Sequence, residues 1–248
     1  PVFAGARLIL PQVLGPTTTE QTRFDQLYTK PRRGWPYWGR RPLVSVVVPM
    51  FNAADSLGTS VRSILAQSWP ELEILLVENA STDATLGIAQ ALATDDPRIR
   101  ILDASADPGA YAARNIGMAA ARGDFVTVQD ADDWAHPQKI ERQLRALLRR
   151  PNAAASISHW VRATPDLRFT NTRADVGLVH RNMSSLMIRR AARQRLGFWD
   201  RVKVGADTEY FYRLLQVFGA DSLCEVLPGV PLSFGRQSAK GLTQDPAL

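Results

Sequence analysis

The sequence predicts an α/β fold built on a mainly parallel sheet flanked by helices. Short runs of β-branched and aliphatic residues recur through residues 43–128, and each is followed by a segment of helical spacing. Runs that are apolar at nearly every position suit strands covered on both faces. Strand and helix in regular alternation require parallel strands joined by right-handed crossovers.

The elements follow in order. Leu43 to Val48 is the first strand, ended by Pro49. Residues 54–67 place Leu57, Val61, Ile64 and Leu65 on one side of a helix. Glu73 to Val77 is the second strand, and Ser81-Thr82-Asp83 supplies a cap for a helix over 84–93. Ile99 to Leu102 is a third strand. Residues 109–121 form an Ala-rich helix stopped by Gly123. Phe125 to Val128 is a fourth strand that runs straight into Asp130, and Pro137 opens a helix through Leu148. Beyond it the pattern is less regular. Ala153 to Val161 and Arg168 to Thr172 read as strands, Ser184 to Ile188 as a short apolar run, and 189–196 as a helix. Thr208 to Phe218 reads as an amphipathic helix with Asp207 as its N-cap. The tail from Pro228 carries Pro and Gly punctuation and is expected to be mostly loop.

Length and composition fit this scheme. The chain has 248 residues, 45% of them hydrophobic, enough for one large α/β domain. Its formal net charge of +6 favours phosphates, acidic membrane surfaces or nucleic acid. The excess is spread over pairs such as Arg32-Arg33, Arg149-Arg150 and Arg189-Arg190, which suit solvated faces and helix ends, so no nucleic-acid partner is expected. The single cysteine, Cys224, cannot form an internal disulfide and sits in an apolar segment. No apolar run approaches the ~20 residues a membrane-spanning helix needs. The start, Pro1-Val2-Phe3, has no initiator Met and does not read as a signal peptide, so a piece of a longer, multidomain polypeptide is expected. Three parts are expected: an N-terminal arm or linker over 1–42, rich in Pro, Thr, Arg and Trp; a ligand-binding half over 43–135; and a second half over 136–248.

In open parallel sheets, ligands bind beyond the carboxyl ends of the strands. The residues there are Pro49-Met50-Phe51-Asn52, Glu78-Asn79-Ala80-Ser81 and Asp130-Ala131-Asp132-Asp133. Three carboxylates directly after a buried strand repel one another and lose solvation unless a cation is present. Hard divalent cations pair one or two carboxylates with substrate phosphates, so the run suits a Mg²⁺ or Mn²⁺ bridge to a diphosphate. Read alone, it is equally a polar loop ahead of Pro137. Arg114 is a fork donor suited to phosphate, or an ordinary surface arginine. Asp207 suits a general base as well as a cap.

Taken together, Val44 to Asn52, Ser63 to Ser68, Val77 to Asp83, Ala113 to Gly117 and Asp130 to Asp133 resemble, in order and spacing, family 2 glycosyltransferases of the GT-A fold. Gly205 to Arg213 looks like the family's catalytic-base segment. The resemblance implies a Rossmann-like, mainly parallel sheet with an acceptor-binding C-terminal half. It implies an inverting transfer of a sugar from a nucleotide diphosphate donor, a UDP-sugar by expectation, to a hydroxyl of a glycan or lipid-linked acceptor. Pro49, Phe51, Asn52, Glu78, Asn79, Ser81, Arg114, Asp130, Ala131 and Asp132 would bind the nucleotide sugar, with Arg114 facing the diphosphate. Asp132 and Asp133 would contact Mn²⁺ or Mg²⁺, and Asp207 would be the base. Arg236, Ser238 and Lys240, by position and charge, form a candidate mobile loop over the diphosphate.

The chain departs from the family in two places. Glu78-Asn79 stands where paired aspartates are frequent, which bears on the nucleotide. There is no Gln-X-X-Arg-Trp segment of the kind processive synthases carry, so a single addition is expected, in bacterial cell-envelope polysaccharide biosynthesis. The expected setting is the cytoplasm, including peripheral association with the inner membrane face. Two other readings stay open: a nucleotidyltransferase, for which no Gly-rich phosphate loop follows the first strand, and a non-catalytic nucleotide- or glycan-binding module of a larger assembly protein.

Overall fold

The computed structural model describes residues 2–14, 22–30, 34, 36–171, 177–202 and 204–237. Its main sheet runs, edge to edge, Leu223–Glu225, Ala155–Ile157, Met187–Arg189, Phe125–Val128, Val44–Met50, Leu72–Glu78 and Ile99–Asp103. Pairing is parallel throughout except at Met187–Arg189, which is antiparallel to both its neighbours. The mainly parallel α/β architecture is therefore present.

Each central strand feeds two cores because successive side chains point to opposite faces. Val46, Val48, Ile74 and Leu76 pack beneath the helices Leu57–Leu65 and Lys139–Arg149, through Leu57, Val61, Ile64, Ile140 and Leu144. Val47, Leu75, Val77 and Val126 face Ala110–Ala120 and Ala206–Phe218, through Ala113, Met118, Tyr210 and Leu214. The Ala-rich character of Ala110–Ala120 has a packing reason. A Cβ on Gly117 would sit 2.3 Å from Val47 Cγ1, so the helix lies directly on the first strand. Gly117→Ala is expected to lose about 1–3 kcal/mol to overpacking, less a gain of up to ~1 kcal/mol in helix propensity. Urea unfolding of the purified variant measures the net loss.

Three expectations need correction. The segment 153–161 is two strands, because the chain changes sheet at Ser158. There the Ser158 amide donates to Ser185 Oγ at 3.0 Å and its carbonyl accepts from the Asn182 amide at 2.9 Å. His159–Ala163 then enters a second sheet ordered Phe169–Thr170, His159–Ala163, Pro231–Arg236, Trp134–Ala135, with His180–Arg181 also on His159–Ala163. Within the tail, Pro231–Arg236 is a strand and not a loop: it is buried at every residue and pairs with two strands, and residues 238–248 lie outside the described residues. Proline is tolerated there as the first residue of the strand. Finally, Asp207 is not the N-cap of its helix. Gly205, with φ +88°, precedes a helix that starts at Ala206, and Asp207 lies within its first turn.

The second sheet crosses the mouth of the first and brings the N-terminal segment with it. Phe3 stacks on the His136 ring at 5.6 Å, and His136 Nε2 donates to the Ile9 carbonyl at 2.9 Å while Nδ1 accepts from the Gln138 amide. Burial pushes the His136 pKa down to about 4, so it serves as a neutral packing residue. Phe24 is fully buried among Trp134, Val161 and Phe234. Cys224 is buried in the main core. Among the described residues, no helix is long and apolar enough to cross a membrane.

Candidate active site

The carboxyl ends of the first two strands meet. Asn52 adopts φ +46°, a left-handed turn that asparagine tolerates better than most residues. Its amide donates to Ser81 Oγ at 3.1 Å, and its Oδ1 accepts from the Thr82 amide at 2.8 Å. Ser81 and Thr82 are thereby spent on the neighbouring turn. Asp83 alone of the expected cap residues reaches its helix, where it accepts from the Thr85 amide at 3.0 Å. Asn79 Oδ1 accepts from the Gly109 amide, which ties this turn to the start of Ala110–Ala120. Glu78 is buried; its Oε1 accepts from the Ser81 amide at 2.5 Å, while Oε2 is buried with no partner. A buried carboxylate oxygen left unsatisfied carries a cost unless a ligand donor meets it. Pro49 is partly exposed, and Phe51 stands 57% exposed beside this turn, a free apolar face.

The fourth strand delivers the acidic run. Asp130 accepts from Arg114 Nη2 at 2.7 Å, and Ser60 Oγ holds the Asp130 carbonyl at 2.9 Å. Ala131 is buried in the core beneath. Asp132 is partly buried; burial and then the Asp130 charge push its pKa up to about 6. Asp133 is 4% exposed, and its pKa is pushed well up by burial and by Asp132 and Asp130. Asp133 Oδ1 accepts from the Arg236 amide at 3.2 Å, so this carboxylate is turned toward the second sheet. Beneath the run lies Lys139, 2% exposed, its ammonium 3.3 Å from Gln129 Oε1. Burial pushes its pKa down to about 8, against the opposing pull of Asp133 and Asp130.

A divalent cation fits this donor set. The carboxylates are crowded and dehydrated, and Asp132 keeps partial exposure. Among the described residues, no cluster of three or more His, Cys, Asp or Glu side chains could hold a metal. One or two carboxylates are what an ion completed by substrate phosphates and water takes from a protein.

Arg114 is the hub of the site. Its guanidinium is buried between Asp130 and Asp207, 2.5 Å from Asp207 Oδ1, with Nε unpartnered. Burial opposes its charge, but Asp130 and then Asp207 more than offset this and raise its pKa. It bridges the acidic run to the helix Ala206–Phe218. Among the described residues, Asp207 Oδ2 receives the Ser184 hydroxyl, at 3.4 Å. Residues from both halves of the sequence therefore line one crevice.

Arg236 is not on a mobile loop. It ends a buried strand, its guanidinium lies 4.4 Å over the Phe24 ring and pairs with Asp25, and its Nε donates to the Asp132 carbonyl at 3.3 Å. Asp25 also accepts from Thr22 and from Thr59 Oγ1 at 2.7 Å. Ser238 and Lys240 lie outside the described residues. Asp25, Lys139 and Ser184 escaped the sequence reading, since none belongs to a local motif.

Residues 45–206 match the family described as Glycosyl transferase family 2. Among curated proteins, an uncharacterized glycosyltransferase of Haemophilus influenzae is 36% identical over 107 residues, 43% of this chain and 43% of that protein. TuaG of Bacillus subtilis, a glycosyltransferase named for teichuronic acid biosynthesis, is 38% identical over 110 residues, 44% of each. The chain thus spans less than half the length of these relatives. Among solved structures, S. aureus TarS 1-349 in complex with UDP-GlcNAc superposes with a TM-score of 0.66 at 15% identity, covering 83% of this chain and 62% of that one. That likeness supports a GT-A fold.

Proposed function

From the fact that the chain belongs to glycosyl transferase family 2, we propose that it moves a sugar from a nucleotide diphosphate donor to a hydroxyl of a glycan or lipid-linked acceptor, one residue at a time, with inversion. The observation that carries this reading is the Asp130–Arg114–Asp207 bridge, which ties the acidic loop to the only acid positioned across the crevice among the residues singled out. Asp207 Oδ1 is held by Arg114, so Oδ2 is the oxygen that takes the acceptor's proton. As that O–H bond breaks, the hydroxyl oxygen attacks the anomeric carbon from the face opposite the leaving group. The bond from that carbon to the diphosphate oxygen breaks, and its electron pair departs with the nucleoside diphosphate.

Glu78, Asn79, Asn52, Pro49, Phe51 and Ser81 form the nucleotide end. The unpartnered Glu78 Oε2 accepts from the base or ribose, and Phe51 offers an aromatic face. Asp132, with Asp133 behind it, would hold Mn²⁺ or Mg²⁺ together with the diphosphate. The ion, when bound, neutralises charge on the leaving group. UDP is the proposed nucleotide, supported by the TarS complex with UDP-GlcNAc. Relatives named for teichuronic acid and succinoglycan biosynthesis support a polysaccharide acceptor. Peripheral work at the cytoplasmic face of the membrane, within a longer polypeptide, fits such an acceptor.

A thermal-shift series tests the donor and the metal together. UDP with Mn²⁺ or Mg²⁺ is expected to raise the melting temperature, since a ligand of the folded state stabilises it by mass action. UDP in excess chelator is expected to raise it much less, and chelator is expected to abolish transfer. Equal stabilisation with and without metal would remove the ion from the scheme. No stabilisation by any nucleoside diphosphate would remove the donor assignment.

A further inference from the structure

Two of the arginines around the acidic loop are already neutralised. Arg114 is shared by Asp130 and Asp207, and Arg236 is paired with Asp25. A third, Arg162, is different. It lies on His159–Ala163 and has no carboxylate partner among the described residues; its one protein hydrogen bond is from Nη1 to the Arg236 carbonyl, at 3.4 Å. That carbonyl belongs to the residue whose amide is on Asp133 and whose Nε is on the Asp132 carbonyl. Arg162 is thus linked to the acidic loop through Arg236.

Its position is also fixed. The guanidinium carbon lies 4.3 Å from the Trp160 ring centroid, a cation–π contact. The contact needs Gly235 beneath it. A Cβ there would come within 2.7 Å of the Trp160 ring and 3.2 Å of Arg162 Cδ. The His180 ring meets Trp160 edge-on, at 5.9 Å. A planar fork, preorganised and without a carboxylate, is the arrangement that recognises phosphate oxygens bidentately.

We propose that Arg162 is a cation that binds the donor's diphosphate. The proposal rests on the acidic loop being the donor site. Trp160 and Gly235 act as positioning residues for it. The other source of a phosphate-like oxyanion is an acidic group on the acceptor, and the test separates the two.

Calorimetric titrations of wild type, R162Q and R162K with UDP, UMP and pyrophosphate, all in Mg²⁺, decide the matter. R162Q is expected to lose at least tenfold in affinity for UDP and pyrophosphate and less than twofold for UMP. R162K, which keeps the charge but not the fork, is expected to fall between R162Q and wild type, and it serves alone if R162Q does not fold. UDP affinity unchanged in both variants, with the loss appearing only in the KM for acceptor, would overturn the proposal and assign Arg162 to the acceptor. Equal losses for UDP and UMP would also overturn it, because that pattern marks a general disturbance of the site. Wild type that binds UDP no better than UMP would instead overturn the donor reading on which the proposal stands.

Discussion

Asp207→Asn is expected to fold, to bind UDP with metal within about twofold of wild type, and to lose transfer by about 10²–10⁴-fold, the range a general base contributes. The asparagine keeps the shape and can still accept from Arg114 through its amide oxygen, so the crevice survives. What disappears is the oxygen that takes a proton. The clean readout is kcat for transfer against donor affinity by calorimetry. Turnover near the wild-type value would exclude Asp207 as the base. Equal loss of donor binding and turnover would make it a structural residue.

Arg114→Met is expected to have the other large effect, on stability and activity together. The side chain is buried, and its removal leaves Asp130 and Asp207 without the cation they share. Breaking a buried pair by deleting one partner costs about 3–5 kcal/mol. The lower end applies here, because Asp130 and Asp207 keep 29% and 17% side-chain exposure. Urea unfolding gives the stability loss. The double variant Arg114→Met, Asp207→Asn carries one fewer unpaired charge and is expected to recover part of that stability without recovering turnover. No recovery would mean that the cost of Arg114→Met is lost packing, including its contact over the Tyr111 ring.

How much of this was legible follows from how each element is buried. Val44–Met50 and Leu72–Glu78 are covered on both faces, so their sequences are continuous apolar runs that announce themselves. The second sheet is built from short strands. His159–Ala163 alternates buried and partly buried residues, and its neighbours Phe169–Thr170 and His180–Arg181 are two residues each. Such pieces carry little periodicity. Pro231–Arg236 was hidden by its own punctuation: Pro231 and Gly235 look like loop residues, yet one opens a strand and the other makes room for Trp160. The candidate site divides in the same way. Glu78-Asn79 and the acidic run are contiguous and sit where the strand pattern puts ligands. The Arg114–Asp207 bridge spans 93 residues, and no local pattern marks it. Asp207 lies one residue inside a helix that follows Gly205, not at its cap, and its carboxylate turns toward Arg114.

The clasp between Asp25 and Arg236 joins residues 211 positions apart, and the acidic loop is fastened between them. Closing so long a span costs chain entropy that only the finished contacts repay. On a ribosome the acidic loop emerges long before the strand that carries Arg236. Its carboxylates therefore emerge first as an open loop and reach their final geometry only after residue 236 has been added. Synthesis order thus places the completion of this site after residue 236 has emerged, a step that pulse-labelled chains halted at residue 230 would fail to reach.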